Sequence, residues 1–293
     1  MKKSDQSLSS QIKDRSFAGS WAVIGGTGWI GSNVVKLARD LGVKVDVYGS
    51  TDRNVNIAGI QTKVAKFSAS NLFDQYEVIW DCAFATREKL LANPALSRIN
   101  DDLLKQSRIL LEQSPPSLYV YFSSGAAIHP DFDFDVYGLQ KAEAEKVFST
   151  LKNQEGLDIR VGRIWSISGA YCLKRQQFAI TSMIDEARRD SRITIRADFE
   201  VWRRYCSIRQ FLGALLVDDG QDSPLDSGGS LVEIGELAKI VLEVFAPHGH
   251  VIRSKTSAER PSNYYSTSAR FEELMNRLGE TPEDLYQQVL SSV

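Results

Sequence analysis

The 293-residue chain is poor in cysteine and histidine, with three of each. Cys82, Cys172 and Cys206 lie far apart and form no CxxC, which excludes a disulfide framework and argues against a structural zinc site. No metal is expected. Long apolar runs are also missing, so no segment reads as a membrane span. An excess of either charge is missing too: 35 Lys and Arg against 37 Asp and Glu leave a formal net charge of −2. Nothing in that balance attracts nucleic acid or an acidic membrane surface. The opening MKKSDQSLSSQIKDRSF has no apolar stretch of the kind a secretory signal needs, so residues 1–17 read as a flexible tail. A reducing cytoplasm is the expected location.

What the chain does have is alternation. WAVIGG reads as a buried strand. SNVVKLARDLG reads as a helix, with Val34, Val35, Leu37, Ala38 and Leu41 on one face and Gly42 as its stop. VKVDVYG, TKVAKF, YEVIWDCAFA, SLYVYFSS and LDIRVGRIWSI follow as strands, with helices over Asp101–Gln113 and Tyr137–Leu151 among them. Such alternation predicts an α/β fold, a Rossmann-type doubly wound parallel sheet with right-handed crossovers. After about Gly169 the rhythm breaks into helical pieces, FAITSMIDEARRD and SLVEIGELAKIVLEVF, between polar loops. Residues 18–168 are therefore expected to form a nucleotide-binding domain and 169–293 a smaller, mainly substrate-binding lobe. Residues 204–218 are expected to return to the first domain as strand and helix.

GGTGWIG sets Gly25, Gly28 and Gly31 at three-residue intervals between the first strand and the first helix. Glycines so placed give a tight turn, let backbone amides approach a pyrophosphate, and let the helix pack close to the strand. The helix N-terminus then stabilises the phosphate charge. In this context the triplet points to a dinucleotide, with Trp29, Ile30 and, after the fourth strand, Ala83 in the same cradle. A NAD site wants an acid at the end of the second strand, and Gly49 stands there instead. Gly49, Ser50 and Thr51 are small enough to admit a 2′-phosphate, and Arg53 can pair with it. NADP is expected, with NAD as the alternative.

Tyr137 and Lys141 are four residues apart on an expected helix and so share a face. Alone they are an ordinary surface pair; beside a bound nicotinamide they are a proton relay. VIGGTGWIGS, DVYGLQKAEAEKVF, SLVEIGELAKIV and RPSNYYSTSARFEELM together resemble, from Trp21 onward, the extended short-chain dehydrogenases/reductases. That family comprises nucleotide-sugar epimerases, dehydratases and reductases. The resemblance implies that Tyr137 exchanges a proton with the substrate oxygen as hydride moves to or from the nicotinamide. It also implies that Lys141 bonds the nicotinamide ribose and lowers the phenol pKa, which in water is about 10. The family's third hydroxyl position falls on Gly125 by simple alignment, and Ser124 or Ser123 substitutes if the turn is shifted.

GAAI stands where family dehydratases place an Asp–Glu pair, which disfavours a 4,6-dehydratase. FEVWRRYCSI and RPSNYY resemble the segments whose arginines clamp a substrate pyrophosphate, which makes Arg203 and Arg260 the candidates. RIWSISG replaces the family's Arg-Pro-x-Asn-x-Tyr-Gly with Arg163, Ser166 and Gly169 in register; Phe178 follows as a candidate contact to base or sugar. The implied substrate is a nucleoside diphosphate-sugar, and the implied assembly a homodimer through the helices Asp101–Gln113 and Tyr137–Leu151. The leading expectation is an NADPH-dependent reductase of a nucleotide-linked 4-keto sugar. A C4 epimerase with tightly held NAD is the enzymatic alternative. A non-catalytic NADP-binding sensor or partner protein is the other, and Gly125 and the altered RIWSISG speak for it.

Overall fold

A computed structural model describes residues 19–73, 75–129, 135–220, 224–254, 257–267 and 269–293, apart from the side chains of Glu155 and residues 257–260. The expected tail at 1–17 and most of the acidic DFDFD run lie outside the described residues. The chain divides into two compact units, Met1–Ile164 with Leu212–Leu225, and Trp165–Phe211 with Asp226–Val293.

The first unit carries β1 (Trp21–Ile24), β2 (Val45–Gly49), β3 (Arg53–Ile57), β4 (Ile60–Lys66), β5 (Val78–Asp81), β6 (Leu118–Ser124) and β7 (Ile159–Ile164). With a short strand at Leu225–Asp226 on one edge, the sheet order is that strand, β7, β6, β5, β1, β2, β4, β3. Every pairing from β7 to β4 is parallel. Strands covered on both faces read as continuous apolar runs, and WAVI of β1 is buried throughout. Helices α1 (Trp29–Leu41), α2 (Arg87–Ala92), α3 (Ser97–Gln113) and α4 (Val136–Glu155) connect them. Phe148 of α4 packs on Tyr121 and Tyr119 of β6 at ring distances of 4.6 and 5.6 Å, so α4 is fixed on the strand that ends at Ser124. In open parallel sheets ligands bind beyond the carboxyl ends of the strands. Here those ends are Gly25, Asp81 and Ser124.

Three departures from the sequence reading have local causes. TKVAKF is the second arm of a hairpin: β3 pairs antiparallel with β4 around Ala58 and Gly59, both at positive φ. Arg53 thus begins a strand. LDIRVGRIWSI is broken at Trp165, whose backbone N–H donates to Ser227 Oγ and whose indole donates to Asp226 Oδ1. Ser230–Glu233 of the expected helix SLVEIGELAKIVLEVF is a strand, because the Glu233 carboxylate accepts from Gly235 N and caps the helix there.

The second unit holds β8 (Ser166–Ser168), β9 (Arg192–Ile195), β10 (Phe199–Ser207), β11 (Ser230–Glu233), β12 (His250–Arg253) and β13 (Ser257–Tyr264). β10 pairs with β8, β11 and β13, and β9 pairs with β12. Helices α5 (Ala179–Asp190), α7 (Ile234–Phe245), α8 (Ala269–Arg277) and α9 (Leu285–Ser291) lie in this unit; α6 (Ile208–Val217) carries the chain back. Ile180, Ile184, Leu237, Val241 and Val289 are fully buried together in its core. The returning segment is Leu212–Leu225, later than the expected 204–218, because Arg204–Ser207 belongs to β10.

Candidate active site

The glycine loop runs from the end of β1 into α1. Gly25 has φ +79, and a Cβ there would fall 2.8 Å from Ala83 N; a Cβ on Gly31 would fall 2.4 Å from Gly25 O. Both positions are closed to a side chain by backbone, which also sets Ala83 directly against the loop. Gly28 differs. It is exposed at the N-cap of α1, and its Cβ would meet only Gly25 O at 3.4 Å, an ordinary contact. Trp29 and Ile30 form the first turn behind it, half-buried. Ser50 and Thr51 are exposed just past β2, and Arg53 Nη2 donates to Thr27 Oγ1 at 3.2 Å, which brings that guanidinium onto the loop.

Lys141 points into the interior. It is 4% exposed; Nζ donates to Phe122 O at 2.6 Å and Tyr121 OH at 3.1 Å, and the Phe84 ring centre lies 3.6 Å away. Burial pulls its pKa down to about 7, against the charges of Asp81 and Glu145, which favour the cation. Asp81 is equally buried and accepts from Tyr119 OH at 2.8 Å, Ser107 Oγ at 3.1 Å and Ala83 N at 3.2 Å. Burial raises the Asp81 pKa, and those donors and Lys141 hold the carboxylate back toward ionisation. Cys82, Tyr119 and Tyr121 around them are pushed up by burial and are neutral. Asp81, Tyr121 and Phe84 were not read as site residues from the sequence. The one local signal was an acid closing the otherwise apolar VIWD.

The Lys141 cation is therefore lost as pH rises through about 7. Asp81→Asn removes the charge that most favours the cation, so the midpoint is expected to move further down. A ¹³C-lysine NMR titration of wild type and variant reads that shift; an unmoved midpoint contradicts the coupling.

Tyr137 lies in the first turn of α4. Its backbone N–H donates to the N-cap carboxylate of Asp135 at 3.1 Å, and Asp135 is paired with Arg87 at 2.5 Å. The Tyr137 ring meets Phe84 edge-on at 5.7 Å and lies 6.0 Å from Lys141 Nζ. The two serines differ in role. Ser123 donates to Glu145 Oε1 at 2.5 Å, and Glu145 holds Arg163 through both oxygens at 3.0 and 2.6 Å, so this hydroxyl belongs to a buried ion-pair network. Ser124 Oγ ends β6 and accepts from Ala126 N at 3.3 Å, capping the turn Gly125–Ala127.

The candidate substrate residues are in the second unit. Arg203 Nη1 donates to Trp202 O and Ser262 O, and Nη2 to Ser262 Oγ. Its Nε–H and one Nη2–H have no partner among the described residues, which leaves one bidentate edge. Ser166 is half-buried on β8 opposite Tyr205 of β10, and Phe178 caps the start of α5, 37% exposed. Arg260 is on β13, but its side chain lies outside the described residues. Among the described residues no group of three His, Cys, Asp or Glu side chains is arranged to hold a metal, and no helix is long and apolar enough to cross a membrane.

No protein-family model matches the chain, and no curated protein matches its sequence. Solved structures do match. TunA, an NAD-dependent NDP-hexosamine 5,6-dehydratase, gives a TM-score of 0.74 at 14% identity, over 93% of this chain and 96% of that one. UDP-N-acetylglucosamine 4-epimerase from Methanobrevibacter ruminantium M1 gives 0.74 at 18%, over 92% and 97%. WbmF from Bordetella bronchiseptica, in complex with NAD+, gives 0.74 at 15%, over 95% and 92%. The chain has the fold of these solved structures. In this chain the glycine loop, Ser124, Tyr137 and Lys141 all stand on the first unit.

Proposed function

We propose that the first unit binds a nicotinamide dinucleotide on the Gly25–Gly31 loop and that Tyr137 exchanges a proton with a sugar oxygen. Gly28 carries this reading. The chain's own packing does not demand a glycine there, whereas a pyrophosphate drawn to the N-terminus of α1 does. When bound, the nicotinamide supplies or accepts a hydride. The chain's residues do the rest: α1 takes phosphate at its N-terminus, and Arg87 with Asp135 fixes the turn that carries Tyr137. The Tyr137 phenol gives or takes the proton. On the second unit, Arg203 is proposed to hold the diphosphate of a nucleotide sugar, with Ser166, Phe178 and Arg260 as the further substrate contacts.

NADP is the preferred dinucleotide in this reading. Arg53 lies on the loop, while both acids near the end of β2 are engaged, Asp46 by Tyr76 OH at 3.1 Å and Asp52 by Lys66 N at 3.0 Å. The reaction is reduction of a nucleotide-linked 4-keto sugar. Epimerisation at C4 with held NAD is the second reading, favoured by the similar UDP-N-acetylglucosamine 4-epimerase and by the NAD complex of WbmF.

The test is NADPH oxidation, followed at the nicotinamide absorbance, against a panel of nucleotide-linked 4-keto sugars. Tyr137→Phe is expected to lower turnover by about 10²–10⁴-fold, the usual worth of a positioned acid, with NADPH affinity kept. An epimerase purifies with NAD and needs none added. Tight NADPH binding without turnover on any sugar assigns the chain to the non-catalytic class.

A further inference from the structure

The Tyr137–Lys141 pair is not open as it stands, and one side chain closes it. Two oxygens, Phe122 O and Tyr121 OH, take N–H groups of Lys141, and the Phe84 ring covers the amine at 3.6 Å. The same ring stands edge-on against Tyr137 at 5.7 Å, so Phe84 touches both members of the pair. An ammonium under an aromatic face and between two acceptors is well satisfied, and it offers nothing outward.

We propose that Phe84 is a positioning residue that holds Lys141 turned inward, and that its ring must swing aside before the amine can meet a ligand. Volumes set the direction of that swing. Phe84 borders a void of about 10 Å³ with Asp81, Asn100, Tyr121 and Phe148, room for about one water. It also borders a groove of about 380 Å³ with Leu104 of α3 and Leu139 and Lys146 of α4, and of the two spaces only the groove can take a phenyl ring. Phe84 is half-buried and follows β5 in the loop Cys82–Thr86, outside regular structure, so its rotation disturbs no strand or helix. The ligand is the dinucleotide of the proposed function, and this second half of the inference rests on that reading.

The experiment has two readouts. Brief labelling with acetic anhydride, read by mass spectrometry, reports access to Lys141 without any dinucleotide, with exposed Lys146 as the internal standard. Wild-type Lys141 is expected to label at least tenfold more slowly than Lys146, and Phe84→Ala to raise its rate about tenfold. Phe84→Leu keeps apolar bulk but no aromatic face and is expected to fall between, which separates opening of the lid from general unfolding. The second readout is affinity: Phe84→Ala is expected to bind NADPH severalfold more tightly than wild type, a gain that a merely structural role does not produce. Unchanged Lys141 labelling in Phe84→Ala overturns the lid. Increased labelling with unchanged or weaker NADPH affinity overturns its role toward the ligand. If labelling rises and neither protein binds NADPH or NADH, the lid stands and the dinucleotide reading falls.

Discussion

Glu145→Ala is expected to lower the unfolding free energy by about 3–5 kcal/mol, the cost of breaking a buried ion pair from one side. Glu145 and Arg163 have side chains only 12% and 10% exposed, and their two-pronged pairing ties α4 to β7 while Ser123 of β6 donates into the same carboxylate. Removing the carboxylate takes from the buried Arg163 guanidinium its two-pronged partner, and from the Ser123 hydroxyl the acceptor at 2.5 Å. In a chain of this size such a loss corresponds to a fall in Tm on the order of 10 °C. Removing both charges together, as Glu145→Leu with Arg163→Met, is expected to recover most of it, because desolvation then disappears with the pair. Urea unfolding of the three proteins decides the matter. A loss below about 1 kcal/mol in Glu145→Ala makes the pair equivalent to a solvated surface bridge and removes the structural assignment of Ser123.

That assignment shows where sequence reading stops. The strand–helix alternation from Trp21 to Ile164 was legible because strands buried on both faces are mostly apolar, as WAVI is throughout and VIWD and LYVYFSS are up to their polar ends. The hairpin arm RNVNI was not, since Val55 and Ile57 are its only apolar residues and only Ile57 of it is buried. The break at Trp165 was hidden inside one unbroken β-rich run, and only long-range partners at Asp226 and Ser227 reveal it. The site divides the same way. Gly25, Gly28 and Gly31 announce themselves by spacing next to a strand and a helix. The surroundings of Lys141 are set by residues 19 and 20 positions away, so no local pattern shows that its amine faces Phe122 O and Tyr121 OH. Ser123 and Ser124 are adjacent in sequence and alternate across the strand, which sends one to Glu145 and leaves the other at the turn.

The largest effect on dinucleotide binding is expected at the glycine loop, and two of its glycines separate fold from ligand. Gly31→Ala forces a methyl to within 2.4 Å of Gly25 O and 2.6 Å of Gly26 Cα, both backbone atoms that cannot yield without reshaping the turn. That overpacking is expected to destabilise the first unit by about 1–3 kcal/mol or more and to abolish binding with it. Gly28→Ala places its methyl in open space, with one contact at 3.4 Å, so its cost in stability is at most about 1 kcal/mol, the cost of a poorer N-cap. The same methyl stands where the pyrophosphate is proposed to lie. A steric penalty of about 1–3 kcal/mol there weakens binding by roughly tenfold to a hundredfold.

The most direct test of the account is a fluorescence titration of NADPH and NADH into wild type and Gly28→Ala, with thermal unfolding of both recorded alongside. The account predicts that wild type binds, NADPH more tightly than NADH, and that Gly28→Ala loses at least tenfold in affinity while its Tm stays close to that of wild type. Wild type that binds neither dinucleotide, or Gly28→Ala that binds as well as wild type, contradicts it.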